Sequence, residues 1–289
     1  MQLEKKLESR KFVILAEMEP PKGTDVSDLV ANATKVKGRV DAFVIPEMSN
    51  AVMRLSSLGG SLLLATRGLE TVMQVCCRDR NRLALQGDLL AAAALGVDNV
   101  MAVTSMDITH GDHHRARAVN DIDLLELLGA IDTLKAGKDM AGVELKGSPN
   151  FFVGATVNLA MGSPEVELAA LDQKMAAGAS FFITPPIFDL TVLDRFMNRL
   201  GDRRAYLIPT VLLLKSVGMA RYIDRHLENI EIPAETIRRL QNAPERMREC
   251  VQIAAELIAA LKARQVSGVN IATIGWEDKL PQILSAAGM

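Results

Sequence analysis

The chain has 289 residues, of which 49% are hydrophobic and 24% charged, and its formal net charge is -2. This composition is ordinary for a globular protein with a full core, and the scattered basic residues argue against a nucleic-acid-binding or membrane-surface protein. The charged N-terminus lacks a signal-peptide core, and no apolar run reaches the ~20 residues that a membrane-spanning helix needs. The three cysteines form neither a disulfide framework nor a CxxC metal pair, so we expect a reduced, cytoplasmic protein.

The first predicted strand ends in a carboxylate. Residues 12–16 are apolar and run directly into Glu17, and Pro20 and Pro21 then stop the strand. A continuous apolar run is typical of a parallel strand that is covered on both faces. Because chemistry in parallel α/β proteins collects where strands end, Glu17 is the leading candidate for proton transfer. The alternative is that Glu17 or Glu19 pairs with an arginine.

Short apolar strands alternate with helix-length segments along the whole chain. The predicted strands cover residues 11–19, 40–46, 70–78, 98–105, 151–158, 180–185, 206–214 and 269–274. The predicted helices cover residues 25–38, 50–67, 81–96, 121–136, 163–179, 190–200, 216–227, 234–242, 245–265 and 279–287. Eight alternating units without a linker favour a (β/α)8 TIM barrel, a single α/β domain over residues 1–289, rather than an open doubly wound sheet.

The strand ends of such a barrel carry polar side chains but few charges. Among them are Gln74, Thr104, Thr156 and Lys215. They include no Ser-His-Asp arrangement and no three metal ligands from different strands, so no metal is expected. Residues 110–114 hold three histidines and an aspartate, but their spacing matches no metal motif. A solvated or cofactor-facing loop is therefore the better interpretation of that segment.

A dense charged cluster follows the third predicted strand at residues 78–82, which read Arg-Asp-Arg-Asn-Arg. Two interpretations stay open from the sequence. The cluster is either a salt-bridged loop that caps the next helix, or an anion site for a phosphate or a polyglutamate tail. Lys174 lies on a predicted helix, where a lysine ordinarily faces solvent.

Five short motifs, taken together in their order and spacing, indicate a protein family more specifically than any one of them does alone. They are Glu17 three residues before Pro20-Pro21; Cys77 through Arg82; Val103-Thr104 with Gly111-Asp112-His113; Lys174 with Ala177-Gly178-Ala179; and Ile208-Pro209 through Lys215-Ser216 with Ile232-Pro233. Across nearly the whole chain, this set resembles the methylenetetrahydrofolate reductases, in particular the compact catalytic subunits of the acetogen-type branch. The resemblance implies a flavin-bearing (β/α)8 barrel that reduces 5,10-methylenetetrahydrofolate to 5-methyltetrahydrofolate, or runs the reverse reaction.

The resemblance also implies roles for single residues. Glu17 matches the family's catalytic Glu, a general acid that protonates a folate nitrogen, and a partly apolar strand-end pocket can raise its pKa as this role requires. Flavin contacts, with FAD favoured over FMN, are implied for Gln74, Thr104, Asp107, Thr156, Glu167 and Lys174, and folate contacts for Glu19 and Lys215. The family's fourth-strand aspartate falls at Met106, so Asp107 is expected to replace it, and Pro185 stands where the family has a folate-binding glutamine.

The compact length suits a catalytic subunit that receives electrons from a partner protein, and we expect an oligomer. Two alternatives stay open. One is a non-redox folate- or pterin-binding barrel that transfers methyl groups, and the other is a scaffold subunit of an electron-transfer complex. A bound flavin separates the reductase from the transferase, and loss of activity in a folded Glu17→Gln variant excludes the scaffold.

Overall fold

The computed structural model describes residues 2–159, 163–227 and 230–289. Its parallel strands form a closed barrel in chain order and confirm the predicted (β/α)8 fold. The strands are β1 (Val13–Glu17), β2 (Ala42–Ile45), β3 (Thr71–Cys76), β4 (Asn99–Val103), β5 (Phe152–Thr156), β6 (Phe181–Pro186), β7 (Tyr206–Leu212) and β8 (Gly268–Ala272). The barrel closes where β1 pairs with β8, with Leu15 opposite Asn270.

The helices surround this barrel. In the described part of the chain they are α1 (Gln2–Glu8), α2 (Ser27–Lys35), α3 (Ser57–Ala65), α4 (Arg82–Ala94), α5 (Leu124–Lys135), α6 (Pro164–Ala176), α7 (Leu190–Leu200), α8 (Val217–His226), α9 (Ala234–Asn242), α10 (Arg246–Ala263) and α11 (Leu280–Ala286). Among the described residues, two short 3₁₀ helices span Ile108–His110 and Glu277–Lys279. Within these described ranges, no helix combines the length and the apolar character that crossing a bilayer demands.

Helix α1 closes the amino-terminal end of the barrel, and the sequence did not predict it. Leu3 and Leu7, one helical turn apart, are buried in the same apolar cluster as the lumen residues Val13 and Leu15. The carboxylate of Glu70 accepts hydrogen bonds from the first backbone N–H groups of the helix, at 3.1 Å from Gln2 and 3.0 Å from Leu3. These bonds satisfy donors that have no partner inside a helix.

Side chains of the strands alternate between the barrel lumen and the layer beneath the helices. On β1, Val13 and Leu15 belong to the lumen cluster, whereas Ala16, and Met18 directly after the strand, belong to the outer core. Glu17 therefore shares the lumen side with Val13 and Leu15, one step nearer the carboxyl end of the barrel.

Aromatic rings fill the lumen and make one glycine necessary. The rings of Phe152 and Phe181 stack with their centroids 5.0 Å apart. A Cβ atom on Gly154 would lie only 2.2 Å from Cε2 of Phe181, so no larger residue fits there without moving the ring. Because these rings occupy the interior, the lumen is a packed core and only its mouth is open to chemistry.

Two helices, α3 and α5, begin three or more residues later than their apolar patterns predicted, because capping side chains set their first residues. The helix predicted over residues 50–67 starts at Ser57, since the Ser56 hydroxyl accepts the N–H of Gly59 at 3.1 Å. The helix predicted over residues 121–136 starts at Leu124, where Asp123 and Glu126 form a reciprocal capping box.

Candidate active site

Glu17 is the last residue of β1 and lies at the open end of the lumen. Its side chain is half-buried, and no described residue forms a hydrogen bond or an ion pair with its carboxyl group. Burial, together with the smaller effect of the negative charges of Glu19 and Glu277, raises the pKa of Glu17 from 4.5 to about 7. Near neutral pH the group is thus present as both acid and carboxylate, which suits proton transfer.

Glu17 is one of five residues that we call the mouth cluster. The cluster consists of Glu17, Glu19, Lys215, Trp276 and Glu277, contributed by the segments that end β1, β7 and β8. The Lys215 ammonium donates to the carbonyl of Ile274 and lies 5.2 Å from the centroid of the Trp276 ring, as in a cation–π contact. Burial lowers the pKa of Lys215, and the two carboxylates Glu277 and Glu19 oppose that shift.

The carboxylates of the mouth cluster differ in their partners. Glu19 forms an ion pair with Arg54, with 2.8 Å between Oε1 and Nε, whereas Glu277 accepts the N–H of Gly275 at 2.8 Å. Burial raises the pKa of Glu19 and the Arg54 charge opposes the rise. The arginine pair that was an alternative for Glu17 or Glu19 is therefore made by Glu19, and Glu17 is left available for chemistry.

Sequence reasoning missed Trp276 and Glu277. A signal was present, because the chain has a single tryptophan and it follows the eighth predicted strand within two residues. Their closeness to Glu17 depends on the pairing of β1 with β8, which joins opposite ends of the chain.

Three residues predicted to contact a flavin lie together at the carboxyl end of β5. The Lys174 ammonium donates to the Thr156 carbonyl at 2.7 Å, and Glu167 is buried nearby on the same helix, α6. Burial lowers the pKa of Lys174 and raises that of Glu167, and the charge of each residue opposes the shift of the other. Lys174 is thus an anchored, half-buried group rather than the solvent-facing lysine typical of a helix.

The other predicted flavin contacts lie apart from that group. Gln74 is half-buried on the lumen side of β3, where its Oε1 faces the N–H of Glu47 at 3.4 Å. Thr104 and Asp107 line a groove of about 450 Å³ between the end of β4 and the start of α5. Asp107 accepts hydrogen bonds from the N–H and hydroxyl of Thr109, at 2.8 and 2.6 Å, and these bonds lower the pKa of its carboxyl group.

Arg78 ties three loops together beneath this groove. It is buried, and its Nε and Nη2 atoms each lie 2.7 Å from an oxygen of Asp79. Its guanidinium also donates to the carbonyls of Met106 at 3.0 Å and Met48 at 3.1 Å. Because Met48, Asp79 and Met106 follow β2, β3 and β4, these contacts position the three loops relative to one another.

The next two arginines are engaged as well. Arg80 bridges the buried Glu47, at 3.0 Å, and Asp88, at 2.7 Å. Arg82 pairs with Asp121 at 2.9 Å. These contacts support the salt-bridged interpretation of residues 78–82, because each guanidinium already has a carboxylate partner and an anion would have to displace it.

The histidine-rich loop is held in place by its aspartate. Asp112 forms an ion pair with Lys22, accepts the N–H of Met53 at 3.1 Å, and contacts Nδ1 of His113 at 2.8 Å. These hydrogen bonds lower the pKa of Asp112. Across residues 2–159, 163–227 and 230–289, no three His, Cys, Asp or Glu side chains are grouped in a way that could hold a metal ion.

Glu17 places a carboxylic acid at the end of β1, in the mouth of a closed barrel, as the resemblance of the sequence motifs predicts. The family model described as methylenetetrahydrofolate reductase matches residues 2–288. The chain belongs to this family. A likeness to methylenetetrahydrofolate reductases thus extends over the whole barrel and includes α1, which closes its amino-terminal end.

Two solved structures share the fold. One, described as an uncharacterized protein from Clostridium thermocellum that binds two copies of 5-methyl-5,6,7,8-tetrahydrofolic acid, has a TM-score of 0.65 and 14% identity, with 99% of this chain and 97% of that chain covered. The other is EDTA monooxygenase (EmoA) from Chelativorans sp. BNC1, with a TM-score of 0.57, 11% identity, and coverage of 96% and 93%. At these identities the likeness concerns the barrel alone.

Proposed function

We propose that this member of the methylenetetrahydrofolate reductase family interconverts 5,10-methylenetetrahydrofolate and 5-methyltetrahydrofolate with the help of a flavin. The family match over residues 2–288 supports a folate substrate. The observation that carries the proposal is the Glu17 carboxyl group, which lies unpaired at the barrel mouth with a pKa of about 7. The C. thermocellum neighbour indicates that a barrel of this shape can hold a folate.

Glu17 acts as the general acid in this proposal. The carboxyl group gives its proton to a folate nitrogen that carries the methylene bridge, and the C–N bond breaks with its electron pair going to that nitrogen. The methylene carbon is left as an iminium electrophile, and Glu17 as a carboxylate. The nearby charges of Glu19 and Glu277 disfavour that carboxylate, so they keep Glu17 protonated until a basic nitrogen of the substrate is in place to take the proton.

The side chains at the ends of β3 to β5 suit the polar edge of a flavin ring. Gln74 offers an amide, Thr104 and Thr156 offer hydroxyls, and Lys174 offers a positive charge next to Thr156. A bound flavin would supply hydride exchange with the activated carbon, and the protein would supply orientation and exclusion of water. Asp107 stays a predicted contact, and the preference for FAD over FMN stays a prediction.

The flavin assignment predicts that Gln74→Ala weakens flavin binding. Loss of one ring-edge hydrogen bond is expected to raise the dissociation constant by about fivefold, because such a bond contributes about 1 kcal/mol. Fluorescence titration with FAD and FMN measures this constant. Gln282→Ala, which truncates an exposed glutamine on α11, is the matched control and should bind as the parent does.

We also propose that electrons reach the flavin through a partner subunit. Three exposed apolar side chains, Met106, Val119 and Leu125, lie near the groove that contains Thr104, where a docked protein would cover them. The purified chain should then oxidise NADH slowly when alone. Fast NADH oxidation by the flavin-loaded chain without any added protein would contradict this part of the proposal.

The absorption spectrum of the purified protein tests the central proposal. After loading with FAD or FMN without air, addition of 5-methyltetrahydrofolate is expected to bleach the flavin bands, because the folate passes hydride to the flavin in the reverse direction. Glu17→Gln should bind the same flavin and bleach far more slowly, whereas the exposed control Glu144→Gln should match the parent. A protein that binds the folate and neither flavin would instead be a non-redox folate barrel.

The pH dependence of the rate tests the mouth cluster. Because Glu17 must be protonated to donate, the rate of bridge opening is expected to fall as pH rises through about 7. Glu277→Gln removes one of the charges that raise the Glu17 pKa, so the descending limb should move to lower pH. The adjacent Asp278→Asn serves as the control, and an equal displacement in both variants would contradict a specific role for Glu277.

A further inference from the structure

A second cavity opens at the amino-terminal end of the barrel, opposite the mouth cluster. Its volume is about 910 Å³, and we call it the basal cavity. Its walls come from the residues just before β1, β7 and β8 and from the end of α1. This volume lies within the range of small-molecule sites, roughly 300 to 1,000 Å³. Chemistry in TIM barrels takes place at the other end, so a ligand here would bind without reacting.

Unpaired positive charges line the basal cavity. No described residue forms an ion pair with any of four cations in its wall, which are Arg10, Lys11, Arg204 and Lys262. A fifth cation, Arg203, differs from them, because its guanidinium is committed to the carboxylate of Asp172 at 2.6 and 2.9 Å. Cations gathered around a concave wall without carboxylate partners attract an anion from solution.

The carboxylates of the basal cavity do not neutralise these cations. Glu8 and Asp202 also line it and likewise make no ion pair in the described part of the chain. Four unpaired cations against two unpaired carboxylates leave an excess of two positive charges. An occupant with two or more negative charges would balance that excess.

Hydroxyl donors accompany the cations. Tyr206 and Ser267 line the basal cavity, and the hydroxyl groups of both have no hydrogen-bond partner among the described residues. The Lys262 ammonium lies 5.9 Å from the ring centroid of Phe12, which holds that cation beside the cavity wall. Guanidinium, ammonium and hydroxyl groups together form the donor set that phosphate oxygens accept from.

Two turns at the basal cavity have a left-handed backbone without glycine. Arg10 follows α1 with φ of 55°, and Gln265 follows α10 with φ of 57°. Glycine is the usual residue at this position after a helix, because a side chain is strained there. Both turns instead place a long polar side chain on the cavity wall, and such strain concentrates at ligand sites.

We propose that the basal cavity binds a small phosphate-bearing ligand. A phosphate with two or more negative charges matches the excess charge, and the guanidinium groups of Arg10 and Arg204 can each bind two of its oxygens. The ligand would be separate from folate and flavin, because the packed lumen and α1 lie between the two ends of the barrel. The proposal does not depend on the reaction at the mouth cluster.

Calorimetric titration of the full chain with inorganic triphosphate tests the proposal. Saturable binding of one triphosphate per chain is expected. The double variant Arg10→Ala/Arg204→Ala should weaken it by at least about tenfold, which corresponds to the loss of charge-assisted hydrogen bonds. The double variant Arg117→Ala/Arg225→Ala removes the same charge from exposed, unpaired positions elsewhere and should bind as the parent does.

Parallel titrations with ATP and adenosine identify the source of the phosphate. If ATP and triphosphate bind with equal affinity, the basal cavity recognises phosphate alone. If ATP binds much more tightly, the natural ligand is a nucleotide. Three results would overturn the proposal. They are equal weakening of triphosphate binding in both double variants, the absence of saturable binding, and a tetraglutamate peptide that binds more tightly than triphosphate. Lys262→Met, with a thermal melt that matches the parent, provides a second variant should the arginine pair fail to fold.

Discussion

Glu17→Gln is expected to lower the rate of methylenetetrahydrofolate reduction by about 10² to 10⁴, the usual contribution of a positioned general acid. Glutamine keeps the shape of the side chain and its place at the end of β1, but its amide is not acidic enough to act as a general acid. Flavin and folate binding should change little, so the loss should lie in the turnover number rather than in the Michaelis constant. Stopped-flow measurement of flavin reoxidation by the substrate gives the rate directly.

The same variant should be more resistant to unfolding at neutral and alkaline pH. The Glu17 pKa is about 7 in the folded protein, against an ordinary value of 4.5, so the folded state binds the proton more tightly. The contribution of the Glu17 proton to wild-type stability is therefore fully present below pH about 4.5 and is lost as pH rises through about 7. Because glutamine does not titrate, the stability of Glu17→Gln relative to the parent should grow by up to about 3 kcal/mol over that window.

Urea unfolding of both proteins at about pH 4 and about pH 8 measures this difference. Glu144→Gln, an exposed carboxylate without a partner, should track the parent at both pH values. A constant difference between Glu17→Gln and the parent across the window would mean that Glu17 titrates like a solvated carboxylate. That result would remove the main support for its role as the acid.

Arg80→Met is expected to lower the free energy of unfolding by about 3 to 5 kcal/mol, the usual cost of leaving a buried charge without its partner. Glu47 has only 1% of its surface exposed, and Arg80 is its counter-ion at 3.0 Å. Ser57 would remain as a hydrogen-bond donor to the carboxylate but cannot neutralise it.

A double-mutant cycle separates this burial effect from a general effect of losing an arginine. Arg80→Met combined with Glu47→Gln leaves no buried charge, so much of the lost stability should return. Arg238→Met, which breaks an ion pair exposed on both sides, should cost less than about 1 kcal/mol. If the double variant is no more stable than Arg80→Met alone, the interaction energy of the pair is not what holds the loops after β2 and β3.

The fold was readable from the sequence because its signal is local. Apolar runs such as residues 12–16 are bounded by prolines or polar residues, and each is followed by a helix-length segment. Eight such units need no long-range information to predict a barrel. The place of Glu17 at a strand end follows from the same run. Helix α1 escaped prediction because its two buried leucines lie among charged residues, and only contact with the lumen shows what they cover.

The sequence by itself therefore determined the barrel, the position of Glu17 and the likeness to methylenetetrahydrofolate reductases. Tertiary structure alone decided the surroundings that give Glu17 its pKa, since Glu277 reaches it only through closure of β1 against β8. It also decided that Arg80 pairs with Glu47 and that separate strand ends form a basal cavity. The physical reason is that charge and burial act over a few ångströms, between groups that can lie hundreds of residues apart in the chain.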